Sequence, residues 1–339
     1  MNKDKRMYFV RNMEALKDKN RAKGASKTEY EVVVDSRFIG GCEFGPYKLL
    51  IWDFDNSRPG EERSLCLVTR EASFTPDDMG WKNKTQKGFY HGGYIGEELI
   101  ALASLFFRRR FKLGPIIRMG NIPTRLTLKG DMWNDQEIIK GERNLGDLSD
   151  WLKKVAKLDP QCHFKCILSV RLYNRALDII ETQPDIAYLN LISAIEVLCQ
   201  DEDVGELTIS DLESKPLEGA INKIEDKNLK EEIKEGIFKK LSFIKRRFVN
   251  FIINHIEKSF WKESKAPEFG KVKEEDLERL LKNIYDQRSA LLHSGEPFMP
   301  DIFNPPQVTF DENKNMLISE LPLGLATGTI DRKWERKNY

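Results

Sequence analysis

The chain is poor in several things that would settle a protein's class. No run of about 18 apolar residues occurs in its 339 residues, so a membrane-spanning helix is not expected. Its most apolar stretch, Leu99–Phe107, is too short and ends on Arg108-Arg109-Arg110. Residues 1–30 are crowded with charge and hold no apolar core of roughly 7–15 residues, so no signal peptide is expected. The five cysteines (Cys42, Cys66, Cys162, Cys166 and Cys199) are odd in number and scattered. That excludes a disulfide framework and fits a reducing cytoplasm. Fifty-five basic against 54 acidic residues leave a formal charge of +1, which excludes a globally basic nucleic-acid binder while allowing local patches. Neither a Walker nor a dinucleotide glycine spacing is present.

What the chain does have is length for two domains and 40% hydrophobic residues with which to build cores. The two halves read differently. Glu31–Asp35, Tyr47–Phe54 and Ser64–Thr69 are β-type runs punctuated by Gly40-Gly41, Gly45-Pro46 and Pro59-Gly60. Glu97–Arg108 has the acidic start and basic end of a helix, and short strands are expected near Ile116–Met119 and Thr124–Leu128. From about Gly146 the apolar spacing becomes helical. Helices are expected over 147–158, 163–181, 185–200, 216–226, 228–260 (with a break near Gly236) and 273–293. Several amphipathic helices on short connections argue for a bundle. The expected class is α+β: a strand-rich α+β domain over 1–145, an all-α helical bundle over 146–300, and a partly irregular extension over 301–339. In that extension, Gln307–Phe310 and Met316–Ile318 read as short strands.

The segment carrying most chemistry is Tyr285-Asp-Gln-Arg-Ser-Ala-Leu-Leu-His-Ser-Gly295. Arg288 is a permanent planar cation able to grip a phosphate through two hydrogen bonds. His293 can move a proton near neutral pH. On an ideal helix two residues five apart sit about 140° apart around the axis. Either the helix loosens at His293-Ser294-Gly295, or a second chain completes the site. Without further context, His293 also reads as a favourable charge at a helix C-terminus, and Arg288 as one partner of an ion pair.

Arg288-x4-His293 resembles the R-x4–6-H signature of HEPN domains. Ile284-Tyr285-x2-Arg288-Ser289-x2-Leu292-His293-x-Gly295 is similar to the Apea-like branch, as is Tyr188-Leu-x-Leu-Ile-Ser-Ala-Ile-Glu196-Val-Leu198. The resemblance covers roughly 160–300. It departs from the commonest pattern at Ser289, where Asn, Asp or His often follows the arginine. It implies a metal-independent endoribonuclease leaving 2′,3′-cyclic phosphate ends, with Arg288 on the phosphate and His293 as acid or base. It further implies a homodimer with a composite site, no cofactor and no metal, and a prokaryotic role in anti-phage defence or a toxin-like system. A phage-derived trigger or regulatory partner would restrain it, with the N-terminal half sensing or binding. The alternative is a non-catalytic HEPN module that binds nucleotide or serves as a dimerisation scaffold.

Glu196 sits on an otherwise apolar helix face and needs a partner there. It either orients Arg288 or His293, or is exposed. Tyr285 reads as core, and Asp286 as solvated or paired with Arg288. Two basic patches could track an RNA backbone, or be solvated faces. One is Arg108-Arg109-Arg110 with Lys112; the other is Lys239, Lys240, Lys245, Arg246 and Arg247. Cys162-His163-x2-Cys166 is half a zinc site without a second half. His91-Gly-Gly reads as a tight turn, and Asp53 with Asp55 as a solvated strand end.

Overall fold

A computed structural model describes residues 6–34, 36–51, 64–72, 94–120, 122–123, 142–180, 182–205, 208, 214–240, 243–263, 273–298, 308–310 and 316–318. The helices among them are α1 (Tyr8–Ala15), α2 (Lys19–Lys23), α3 (Ile95–Phe107), α4 (Leu148–Val155), α5 (Pro160–Ile179), α6 (Pro184–Leu198), α7 (Lys215–Asn222), α8 (Lys227–Lys240), α9 (Ile244–His255), α10 (Lys258–Glu263) and α11 (Leu277–Ser294). The strands are β1 (Ser26–Val34), β2 (Arg37–Ile39), β3 (Gly41–Phe44), β4 (Tyr47–Ile51), β5 (Ser64–Glu71), β6 (Phe111–Met119), β7 (Ile122–Pro123), β8 (Glu142–Asn144), β9 (Val308–Phe310) and β10 (Met316–Ile318). The chain is therefore mixed, with its main sheet in the N-terminal part, as an α+β class requires. No helix among the described residues is long and apolar enough to cross a membrane. The strands expected in Thr124–Leu128, the pair Asp53 and Asp55, and His91-Gly-Gly lie outside the described residues, as does most of the extension.

The chain divides into two compact units. One is Met1–Ala194 with Lys265–Lys271 and Glu296–Tyr339; the other is Ile195–Ser264 with Val272–Gly295. The change from strands to helices near Gly146 does not mark this division. Leu148, Leu152 and Val155 of α4, and Ile167 and Val170 of α5, join the same apolar core as the sheet and α3. Those helices have their apolar stripes satisfied by the first unit.

In the first unit a six-stranded antiparallel sheet runs in the order β3-β4-β5-β1-β6-β7. Alternation sets its faces: Tyr47 and Leu49, Leu65 and Leu67, and Val32 and Val34 are buried, while Lys48 between them is exposed. α3 supplies Leu99, Ile100 and Leu102 to the core. It begins with Glu97 accepting from the Tyr94 N–H at 3.2 Å and stops where Arg108 turns left-handed at φ 53°. Its Glu98 is fully buried and accepts from the N–H groups of Tyr8 and Phe9 at 2.9 Å each. A carboxylate from one helix thus satisfies the otherwise orphan donors that open α1, at the positive end of that helix. Asn12 donates to the Tyr47 hydroxyl at 2.7 Å and the Arg70 carbonyl at 2.9 Å, and accepts from the Ala72 N–H at 2.8 Å.

The second unit is helical throughout its described residues. The long helix expected over 228–260 is three helices, and its first break is not at Gly236. α8 runs through that glycine, and α9 starts after Phe243, held left-handed at φ 46°. Phe248, Val249, Leu277, Leu281 and Tyr285 are buried, with the Phe248 and Tyr285 rings 5.4 Å apart.

Candidate functional site

α11 positions the arginine. Its buried residues Leu277, Leu281 and Tyr285 follow the helical repeat, and Arg288 lies about three full turns beyond Leu277 on the same side. A cation has therefore been placed on the inward stripe, where it needs compensation. Glu196, in the last turn of α6, supplies it. Arg288 Nη2 donates to Glu196 Oε2 at 2.9 Å, and the Tyr285 hydroxyl donates to Glu196 Oε1 at 2.8 Å. The two charged side chains are only 19% and 15% exposed. The Arg288 guanidinium carbon also lies 5.5 Å from the Tyr285 ring centroid, within cation–π range. Arg288 Nε is buried with no hydrogen-bond partner among the described residues.

The surroundings are apolar enough to shift neighbouring acids. Burial, then the Glu196 carboxylate, raises the Tyr285 phenol above its ordinary value. Burial, with Glu196 again second, pushes the Cys199 thiol up to about 11. Both groups stay neutral near pH 7.

His293 stands elsewhere. α11 continues through Ser294 and ends on Gly295 at φ 69°, with the Gly295 N–H on the Leu291 carbonyl at 3.1 Å. The helix does not loosen, so Arg288 and His293 keep their separate azimuths. His293 is exposed, and its neighbour Leu292 is 52% exposed. Within one chain Arg288 and Glu196 are brought together and His293 is not. The sequence missed the Tyr285 hydroxyl as the second ligand of Glu196, though its position three residues before Arg288 is the signal. Asp286 pairs at 2.8 Å with Lys245 and not with Arg288.

The basic patches fare differently. Arg109 and Arg110 are buried at 2% and 5% exposure, so the first patch is not a solvated strip. Arg110 Nε donates to the Leu177 carbonyl at 3.0 Å, and Lys112 lies 4.0 Å from Asp178. The cause is the left-handed cap at Arg108, which turns the chain inward from α3 towards β6. In the second patch, Lys245 holds Asp286 and Arg247 donates to the Gln200 carbonyl. Arg246 is partly exposed, and the side chains of Lys239 and Lys240 lie outside the described residues. Asn250 donates to the Asp203 carbonyl at 3.2 Å and Asn254 to Glu202 at 2.7 Å, so α9 grips the segment after α6 along one face.

Cys162-His163-x2-Cys166 does not converge on a metal. His163 is fully buried with Nε2 2.9 Å from the Val155 carbonyl, while Cys162 is exposed. Among the described residues no three His, Cys, Asp or Glu side chains gather as a metal site needs.

The fold and this cluster define an α+β protein whose helical unit carries a largely buried arginine–carboxylate–tyrosine triad. Comparison of the chain with family models, curated proteins and solved structures finds no match.

Proposed function

We propose that the chain is a cytoplasmic, metal-independent HEPN-type endoribonuclease whose site forms between two copies. The observation that carries this reading is the preset Arg288. Glu196 and Tyr285 fix its guanidinium, and the Glu196 bond uses only one of its five donors. Donors remain for the non-bridging oxygens of a phosphate. An exposed imidazole, His293, follows on the same helix but on another face, beside an exposed Leu292 that a second copy would cover. A two-fold contact would bring the Arg288 of one copy towards the His293 of the other.

One imidazole then takes the proton from a ribose 2′-hydroxyl as its oxygen bonds to phosphorus. The bond to the 5′-oxygen breaks, and the same imidazole, now protonated, supplies that oxygen's proton. The products are a 2′,3′-cyclic phosphate and a 5′-hydroxyl. The first unit would respond to a trigger, phage-derived in an anti-phage or toxin-like system, because unrestrained cleavage would harm the host.

The test is incubation of purified protein with labelled RNA in EDTA. Wild type should give cyclic-phosphate ends; His293→Ala and Arg288→Ala should give none. If Arg288 and His293 act across the contact, mixing the two inactive variants should restore about a quarter of the wild-type sites. A specific observation also favours a second reading: the Glu196 carboxylate already neutralises Arg288. A non-catalytic nucleotide-binding or dimerisation module would need nothing more. That reading predicts Arg288-dependent nucleotide binding, or Arg288-dependent pairing, without turnover of RNA.

A further inference from the structure

The first unit contains a groove of about 680 Å3, within the size range of small-ligand sites. Its apolar floor includes Met13, Leu16 and Val68, and its cations are Lys17, Lys27, Lys48 and Arg70; among the described residues no acidic one lines it. Sheet register explains the grouping. Lys48 lies opposite Val68, and Lys27 opposite Arg70. Val68 and Arg70 are two apart on β5, so these side chains share the face opposite the buried Leu49 and Leu67. Gly45, at φ 56°, closes one end. A Cβ there would meet the Met13 methyl at 3.2 Å, so the glycine lets Met13 lie along the floor.

The cations have partners outside the groove lining. Lys17 pairs with Glu14 at 2.8 Å, Lys27 with Glu29 at 2.6 Å, and Lys48 with Glu43 at 2.7 Å, while Arg70 donates to the Ala22 carbonyl at 2.6 Å. Exposed pairs such as Lys17–Glu14 and Lys48–Glu43 are screened by solvent and weakly held. Both lysines can therefore swing to an incoming anion at small cost.

We propose that this groove binds a small amphipathic anion, its apolar body on Met13, Leu16 and Val68 and its anionic head on the cationic rim. The inference does not depend on nuclease activity and is tested without RNA. The probe is 8-anilinonaphthalene-1-sulfonate, titrated fluorimetrically into the full chain beside neutral N-phenyl-1-naphthylamine. The anionic probe should saturate one site and bind at least about tenfold more tightly than the neutral one. The double substitution Lys17→Glu with Lys48→Glu should weaken it by about tenfold and leave the neutral probe unchanged. Partial loosening of the fold would raise the anilinonaphthalene signal, and unchanged binding of the neutral probe excludes full unfolding as the cause of a lost signal. Decanoate should displace the probe while polyglutamate of equal charge should not. Equal affinity for the two probes, indifference to the charge reversal, or displacement by polyglutamate would each overturn the proposal.

Discussion

Arg288 gives one N–H to Glu196 at 2.9 Å and stands over the ring of Tyr285, whose hydroxyl holds the other oxygen of that carboxylate. Three side chains from two helices thereby fix one cation. The pair is largely dehydrated, so losing one partner costs more than the pair itself contributes. Glu196→Ala should destabilise the second unit by about 2–3 kcal/mol, towards the low end for buried pairs because both groups keep some solvent contact. Adding Arg288→Ala should recover part of that loss in a double-mutant cycle followed by urea unfolding. Glu196→Gln keeps an acceptor and should cost about 1 kcal/mol, yet it should abolish RNA cleavage. Unchanged cleavage in that variant would remove Glu196 from the site.

Tyr285→Phe keeps the ring against Phe248 and removes one hydrogen bond. A loss of about 1–2 kcal/mol at pH 7 is expected. Its pH dependence carries a sign. Burial and Glu196 raise the folded-state value above the ordinary 10. The folded chain therefore holds that proton more tightly, and the associated stability is complete below pH 10 and fades above it. Between pH 10 and 11 the wild type should lose about 1 kcal/mol more than the variant, because the unfolded phenol is already half deprotonated at pH 10. Parallel curves would show that the phenol is not shielded.

Much of this was legible in the sequence. Period-two runs marked β4 and β5, and helical periodicity marked α11, because each has one face in a core. Glu196 was legible as a problem, a carboxylate on an apolar face, and Arg288 is its answer. Less visible was anything set by a turn. The left-handed Arg108 sends Arg109 and Arg110 inward, and periodicity says nothing about where a chain goes after its cap. The break at Phe243 was likewise hidden, since Gly236 is the weaker helix former by composition alone. α1 went unread because its N-terminal donors are satisfied by Glu98, some ninety residues away.

Glu98 is a stability test independent of function. Glu98→Gln retains one acceptor oxygen for the Tyr8 and Phe9 donors, whereas Glu98→Ala retains none. Losses of about 1 and about 3 kcal/mol are expected, read as urea midpoints at constant slope. Equal losses would mean that negative charge at the start of α1, rather than hydrogen bonding, dominates.

Thiol chemistry should separate the cysteines. Burial pushes the thiols of Cys42, Cys66, Cys166 and Cys199 up to about 11 each, so few thiolates exist at pH 8. Cys162 is exposed. Iodoacetamide should label Cys162 first by peptide mass mapping, and the other four only in urea. Early labelling of Cys199 would show that the turn just after α6 opens readily.

His163 gives an opposite pH signature to Tyr285. Its Nε2 proton is donated to the Val155 carbonyl, and its Nδ1 is buried without a partner. Burial lowers its value below the ordinary 6.5, so protons favour the unfolded chain. The stability tied to its neutral form is complete above pH 6.5 and is lost as pH falls through the lowered value. His163→Gln can keep a donor to Val155 but cannot titrate. Unfolding free energies at pH 5 and pH 7 should differ by less in the variant than in the wild type. An identical pH difference would mean that His163 is charged within the folded first unit. That would require an acceptor near Nδ1, in a place where none of the described residues provides one.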